Sequence, residues 1–263
     1  MMMLMRKFFL VVLVVVFFGW SSGASAVPIT NGLVAGYEFN GNANDVSGNG
    51  HNGTEFGGIT SSNYVSGRVG QALHLDGQGE YIATETLTDT WNQWTISFFA
   101  KPDSLPPGST SAQIIVERER VGSFQEIEIG TYFTGKFFFA ADSASAALTF
   151  SDTDVLLNEW QHVAVTYNGT SQAIYIDGVL DSQYAQSNAY VDVNEPLLIG
   201  RHVNPNGPAF FSGTLDELYV YDRALSEPEV FTLATVPEPS TALLLGLGLL
   251  AFSARKRRPA SRI

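Results

Sequence analysis

Residues 40–49 hold Asn40, Asn42, Asn44, Asp45, Ser47 and Asn49, a run of oxygen-bearing side chains with glycine and alanine between them. Hard cations such as calcium take six to eight oxygen ligands from carboxylates, amides and carbonyls, so this stretch is a candidate cation loop. It is not an EF-hand, because Asp45 stands where the sharp-turn glycine belongs and His51 where the closing glutamate belongs. The competing reading is a set of polar turn residues that bond only to backbone. Glu126 and Glu128, in QEIEIG at 125–130, alternate along one strand and share a face, which makes them a candidate carboxylate pair or two solvated surface groups. The sequence has no H-E-x-x-H or G-x-S-x-G, and His51, His74, His162 and His202 show no paired spacing. GNGHNG at 48–53 matches G-x-G-x-x-G by letter but opens no helix, so it lacks the helix N-terminus a phosphate site needs. A sugar site would need an exposed aromatic ring beside polar groups. Trp91, in a loop, is the candidate, Phe210 and Phe211 flank another loop, and Trp94 and Trp160 begin strands and read as core. Asn52 and Asn168 head N-x-T sequons, and both also suit turns.

The elements that must position these residues are strands. EWQHVAVTYNGTSQAIYIDGVLDS at 159–182 sets apolar runs about Asn168-Gly169 and Asp177-Gly178, pairs that supply the positive φ of tight turns. This predicts an antiparallel meander with Val163, Val165, Tyr167, Ile174 and Ile176 on one face, which a second sheet must cover. Short strands are expected at 33–39, 69–75, 81–82, 94–101, 114–117, 125–129, 135–141, 196–200 and 213–221. One short helix is expected from Ser226, where Ser226 and Glu229 form a capping box around Pro228, to about Leu233. The fold class is therefore all-β, a two-sheet antiparallel sandwich.

The two ends differ from this middle. Residues 1–26 have a basic start (Arg6, Lys7), an apolar run and Ala24-Ser25-Ala26, the pattern of a secretory signal peptide. Of 14 basic residues, Arg6, Lys7, Arg255, Lys256, Arg257, Arg258 and Arg262 lie in the ends, whereas of 26 acidic residues only Glu238 does. The middle is thus strongly acidic, which argues against a nucleic-acid partner. Cysteine is absent, so an exported domain would rest on burial rather than disulfides.

Several segments taken in order carry a family resemblance: LVAGYEFNGNANDVSGNGHNGT at 33–54, VGQALHLDGQGEYI at 69–82, WTISFFAKP at 94–102, EWQHVAVTYNGTSQAIYIDGVL at 159–180 and FSGTLDELYVYDRALSEPEV at 211–230. Together they resemble the laminin-G-like domains of the concanavalin A-like lectin/glucanase superfamily, which implies a jelly-roll of two antiparallel sheets over 27–235. The tail at 236–263 has Pro237-Glu238-Pro239, an apolar run at 241–252 and a basic end. This resembles a PEP-CTERM sorting signal of Gram-negative bacteria, which implies an exosortase partner and a membrane helix that holds the exported protein transiently in the inner membrane. A plain C-terminal anchor is the alternative.

The resemblance also implies a structural metal joining the first loop to the acidic pair Asp216 and Glu217, so calcium is expected on Asn40, Asp45 and Asp216. In glucanases of the superfamily the strand corresponding to 125–130 carries a further carboxylate where this chain has Gly130. Three functions follow: a non-catalytic module binding extracellular polysaccharide or surface glycan, a glycan-active hydrolase or lyase, or a structural matrix protein.

Overall fold

The computed structural model describes residues 29–88, 90–108, 111–118, 127–141, 148–185, 194–203 and 209–235. The expected signal peptide, Glu126 and the tail with Pro237, Glu238 and Pro239 lie outside the described residues. Among those residues no helix is long and apolar enough to cross a membrane.

The strands are β1 (Leu33–Tyr37), β2 (Gly53–Phe56), β3 (Tyr64–Ser66), β4 (Gln71–Asp76), β5 (Tyr81–Leu87), β6 (Trp94–Pro102), β7 (Ala112–Arg118), β8 (Ile127–Tyr132), β9 (Lys136–Ala141), β10 (Thr149–Asp154), β11 (Gln161–Tyr167), β12 (Ser171–Ile176), β13 (Val179–Ala185), β14 (Glu195–Ile199), β15 (Ala209–Phe210) and β16 (Ser212–Tyr221), followed by helix α1 (Glu227–Ala234). They form two sheets. The first runs β13-β12-β11-β6-β16-β4-β3 with β1 on β16, and the second runs β10-β9-β8-β7-β14-β5-β2 with β15 parallel to β7. All the other pairings are antiparallel, so the described residues form an all-β jelly-roll sandwich with one short α-helix.

The meander is β11, β12 and β13, and its expected core face holds: Val163, Val165, Tyr167, Ile174 and Ile176 lie buried against the second sheet. Asp177 and Gly178 both take positive φ (51° and 80°), as the tight turn there requires. The opposite face is also covered, because Ala164, Ala173, Tyr175, Tyr219 and Tyr221 pack with Leu225 and with Val230 and Leu233 of α1. The Glu229 carboxylate accepts from the Ser226 N–H at 2.9 Å and from its hydroxyl at 2.7 Å, fixing the helix start where the capping box placed it. One side of the sandwich is closed by Asp181 of β13, which accepts from the amides of Asp152 (2.6 Å) and Thr153 (2.9 Å) in β10. Strands β2, β3, β10 and β15 go beyond the sequence expectation, being short or strongly polar.

Candidate functional site

α1 packs on the first sheet, and among the described residues no helix covers the outer face of the second. Register decides which side chains reach it. Ile127, Ile129, Val116, Leu197, Ile199 and Ile82 point into the core, so their strand neighbours point out. Ala83, Leu198, Glu117, Glu128 and Ala140 then form one row across β5, β14, β7, β8 and β9. Glu117 is fully buried at 0%, and Glu128 stands directly opposite it. His202, just beyond β14, brings Nε2 to 2.8 Å from Glu128 Oε1, with the side chains 14% and 18% exposed. The Val203 amide donates to Glu117 Oε1 at 2.9 Å.

Beside this row lies an aromatic group. Phe56 of β2 pairs with Tyr81 of β5, and their rings stack with centroids 4.8 Å apart and planes 8° apart. Phe210 of β15 leans towards Tyr81 at 6.5 Å. The Arg201 guanidinium lies over the Tyr81 ring at 4.5 Å and donates to the carbonyls of His202 and Val203 at 2.9 and 3.3 Å. Phe56 is 40% exposed, so the stack offers an open ring backed by a second ring and a cation.

Trp91 is not that platform. Its ring is 1% exposed and lies 4.0 Å beneath the Arg118 guanidinium, which itself donates to Leu87 O at 2.6 Å. A loop tryptophan reads as exposed from sequence, but here a buried arginine from β7 closes over it. Trp94 is core, edge-on to Phe139 at 5.3 Å, and Trp160 is half-buried under Lys101. Phe211 is core and Phe210 belongs to the outer aromatic group. At Gly130 an added Cβ would meet Gln113 O at 2.0 Å, so no carboxylate fits the position where a glucanase would need one. Residues 48–50 lead into β2 rather than a helix, consistent with no phosphate loop.

The expected calcium ligands do not all serve one point. Asp45 Oδ1 accepts from the amides of Gly36 and Ser47, both at 2.9 Å, and Oδ2 from the Ser47 hydroxyl (2.8 Å) and the His51 amide (3.0 Å). Burial works to raise this carboxyl, but those bonds outweigh it and hold it below the ordinary aspartate range. Asp45 is thus a staple for the polar loop, with its acceptor directions filled by protein donors. Asn40 and Asp216 hold the turn at 67–71 instead: Asn40 Oδ1 accepts from the Gln71 amide and Asp216 Oδ2 from the Val69 amide, both at 2.9 Å. Around that turn the acid groups gather. Asn40 Nδ2 donates to Glu38 Oε2 at 3.3 Å, and Glu217 follows Asp216 with a strained φ of 50°. Burial pushes Asp216 up to about 7, with its backbone hydrogen bonds holding it back, and pushes Glu217 up to about 8, with the charges of Asp216 and Glu38 adding to the rise. Glu217 Oε2 accepts from the Tyr219 hydroxyl, while Oε1 is buried with no hydrogen-bond partner. An orphaned carboxylate oxygen beside further acid groups is the chemistry a hard cation would use, and the side chains that could hold one are Asn40, Glu38, Asp216 and Glu217.

Residues 76–231 match a family model described as the concanavalin A-like lectin/glucanases superfamily, and residues 235–258 match one described as the PEP-CTERM protein-sorting motif. The chain is 31% identical over 98 residues to Paraclostridial mosquitocidal protein 1 of Paraclostridium bifermentans, a match covering 36% of this chain and 8% of that relative's length. Among solved structures it is similar to domain 4 of AbnA, a GH43 extracellular arabinanase from Geobacillus stearothermophilus, in complex with arabinotriose: TM-score 0.64, 24% identity, 77% of this chain and 98% of the other. It is also similar to the botulinum neurotoxin serotype D ligand binding domain in complex with N-acetylneuraminic acid: TM-score 0.60, 14% identity, 78% of this chain and 51% of the other. These structural likenesses establish the fold.

Proposed function

The chain belongs to the concanavalin A-like lectin/glucanases superfamily, and on that premise we propose that it is an exported, non-catalytic module that binds extracellular polysaccharide or a surface glycan through the outer face of its second sheet. The observation that carries this is the half-open Phe56 ring stacked on Tyr81 beside Arg201 and the polar row at Glu117, Glu128 and His202. Sugar rings present C–H faces that stack on aromatic rings while their hydroxyls need donors and acceptors at the rim. Structural neighbours solved with arabinotriose and with N-acetylneuraminic acid support a glycan ligand. The backbone filling the Gly130 position supports a binding rather than a hydrolytic role.

Export would begin with the signal peptide at 1–26. The matched sorting motif supports handling of Pro237, Glu238 and Pro239 by an exosortase, with the apolar run at 241–252 as the transient inner-membrane anchor and the cell surface or extracellular matrix as the destination. Calcium is a structural part of the same proposal, held at Asn40, Glu38, Asp216 and Glu217 rather than at Asp45.

A glycan array probed with the exported chain tests the function. Binding to a defined class of neutral or acidic polysaccharide is expected, with no reducing ends released from the glycans that bind. A chain that binds none of a broad panel, or that cleaves what it binds, would overturn the reading.

A further inference from the structure

We propose that Glu117, Glu128 and His202, the polar row of the proposed glycan face, form a binding site for a first-row divalent metal ion of the zinc class, separate from the calcium ligands. One nitrogen and two carboxylate oxygens of these residues lie within 4.8 Å of one another. A tetrahedral ion with bonds of ~2.0–2.2 Å needs ligand atoms about 3.3–3.5 Å apart, so small side-chain rotations close the set without moving backbone. The backbone is already fixed: Glu117 and Glu128 are direct cross-strand partners in β7 and β8. Two carboxylates placed opposite one another on neighbouring strands repel, and a shared cation turns that repulsion into binding energy.

The third ligand is brought in by the chain after β14. Arg201 gathers the carbonyls of His202 and Val203 under its guanidinium. This turns His202 Nε2 towards Glu128 at 2.8 Å and the Val203 amide towards Glu117 Oε1 at 2.9 Å. That amide orients the Glu117 carboxylate as an outer-shell partner does. An imidazole ligand favours zinc over calcium or magnesium, and three protein ligands leave a fourth position for water or a ligand oxygen. The plainer arrangement, an imidazolium that only clasps the 201–203 segment to the sheet, uses the same contacts and takes no metal.

Titration calorimetry of the tag-free full chain in detergent, stripped with chelator and titrated with zinc chloride, separates the two. One equivalent of zinc is expected to bind. His202→Gln and Glu128→Gln should each weaken that binding at least tenfold, while His74→Ala leaves it unchanged. Zinc affinity should also fall at least tenfold from pH 7.5 to 5.5, because the imidazole must give up its proton to bind. Absence of saturable binding, binding unchanged in His202→Gln, or loss in His74→Ala would each overturn the site. Circular dichroism of each variant confirms that a loss is not unfolding. Zinc binding without glycan binding would leave this site standing and the proposed function not.

Discussion

Asp216 and Glu217 show at the scale of single residues how burial becomes pH dependence. Their carboxyls lie near 4 in an unfolded chain, whereas burial lifts them to about 7 and about 8 in the fold. The folded state therefore keeps protons that the unfolded state releases, and the stability this gives at low pH is lost as pH rises through those values. His162 works the other way: complete burial drives its imidazole down to about 3, so it opposes folding only below about 6.5, where the unfolded histidine takes a proton. Between pH 6.5 and 8.5 the two carboxyls act without any contribution from His162. The Tm of the chelator-treated chain should fall across that range and Glu217→Gln should flatten the fall, whereas a rising Tm would contradict the assignment. Added calcium should raise the Tm most at the alkaline end. Asn40 was legible in the sequence as a member of an oxygen-rich run, and Asp216 only through the family resemblance. Phe56 and Glu117 were not, because what makes them interesting is a partner on a distant strand, Tyr81 in one case and Glu128 in the other. Trp91 misled for the same reason, its covering group being Arg118.

Among the elements, the loop between β1 and β2 is long and polar yet tied down, and Asp45 is the knot. Removing its carboxylate frees the amides of Gly36, Ser47 and His51. Hydrogen bonds to a charged acceptor contribute roughly 1.5–3 kcal/mol each before relaxation and water replace them, so Asp45→Ala should cost ~2–3 kcal/mol. Chemical denaturation measures this, and a loss under about 0.5 kcal/mol would show that the staple is dispensable. With calcium held as proposed, by Asn40, Glu38, Asp216 and Glu217, it should still stabilise this variant. The meander and α1 were readable beforehand because Asn-Gly, Asp-Gly and S-x-x-E fix local geometry in neighbouring residues. Strand β10 was not: TFSDTD has no apolar alternation, and its edge place depends on Asp181 from the other sheet. That α1 covers the first sheet was also invisible in the sequence, because its short apolar stripe of Val230 and Leu233 does not say which face it meets.

For the whole molecule, the two sheets were legible as a class, but the distinction between their outer faces was not. α1 covers part of one sheet and the proposed glycan site lies on the other, whose outer face the proposed export and sorting would deliver to the cell exterior. Phe56 and Phe231 give an internal control. Both are exposed aromatics, 40% and 53%, but Phe56 lies on the second sheet and Phe231 on α1. The direct measurement is the affinity of the exported chain and of its Phe56→Ala and Phe231→Ala variants for the polysaccharide that an array identifies. Losing one sugar–aromatic stack of about 1.5 kcal/mol should weaken Phe56→Ala about tenfold while Phe231→Ala binds as the parent does. Equal affinities for Phe56→Ala and the parent, or a loss confined to Phe231→Ala, would contradict the placement of the glycan site on the second sheet.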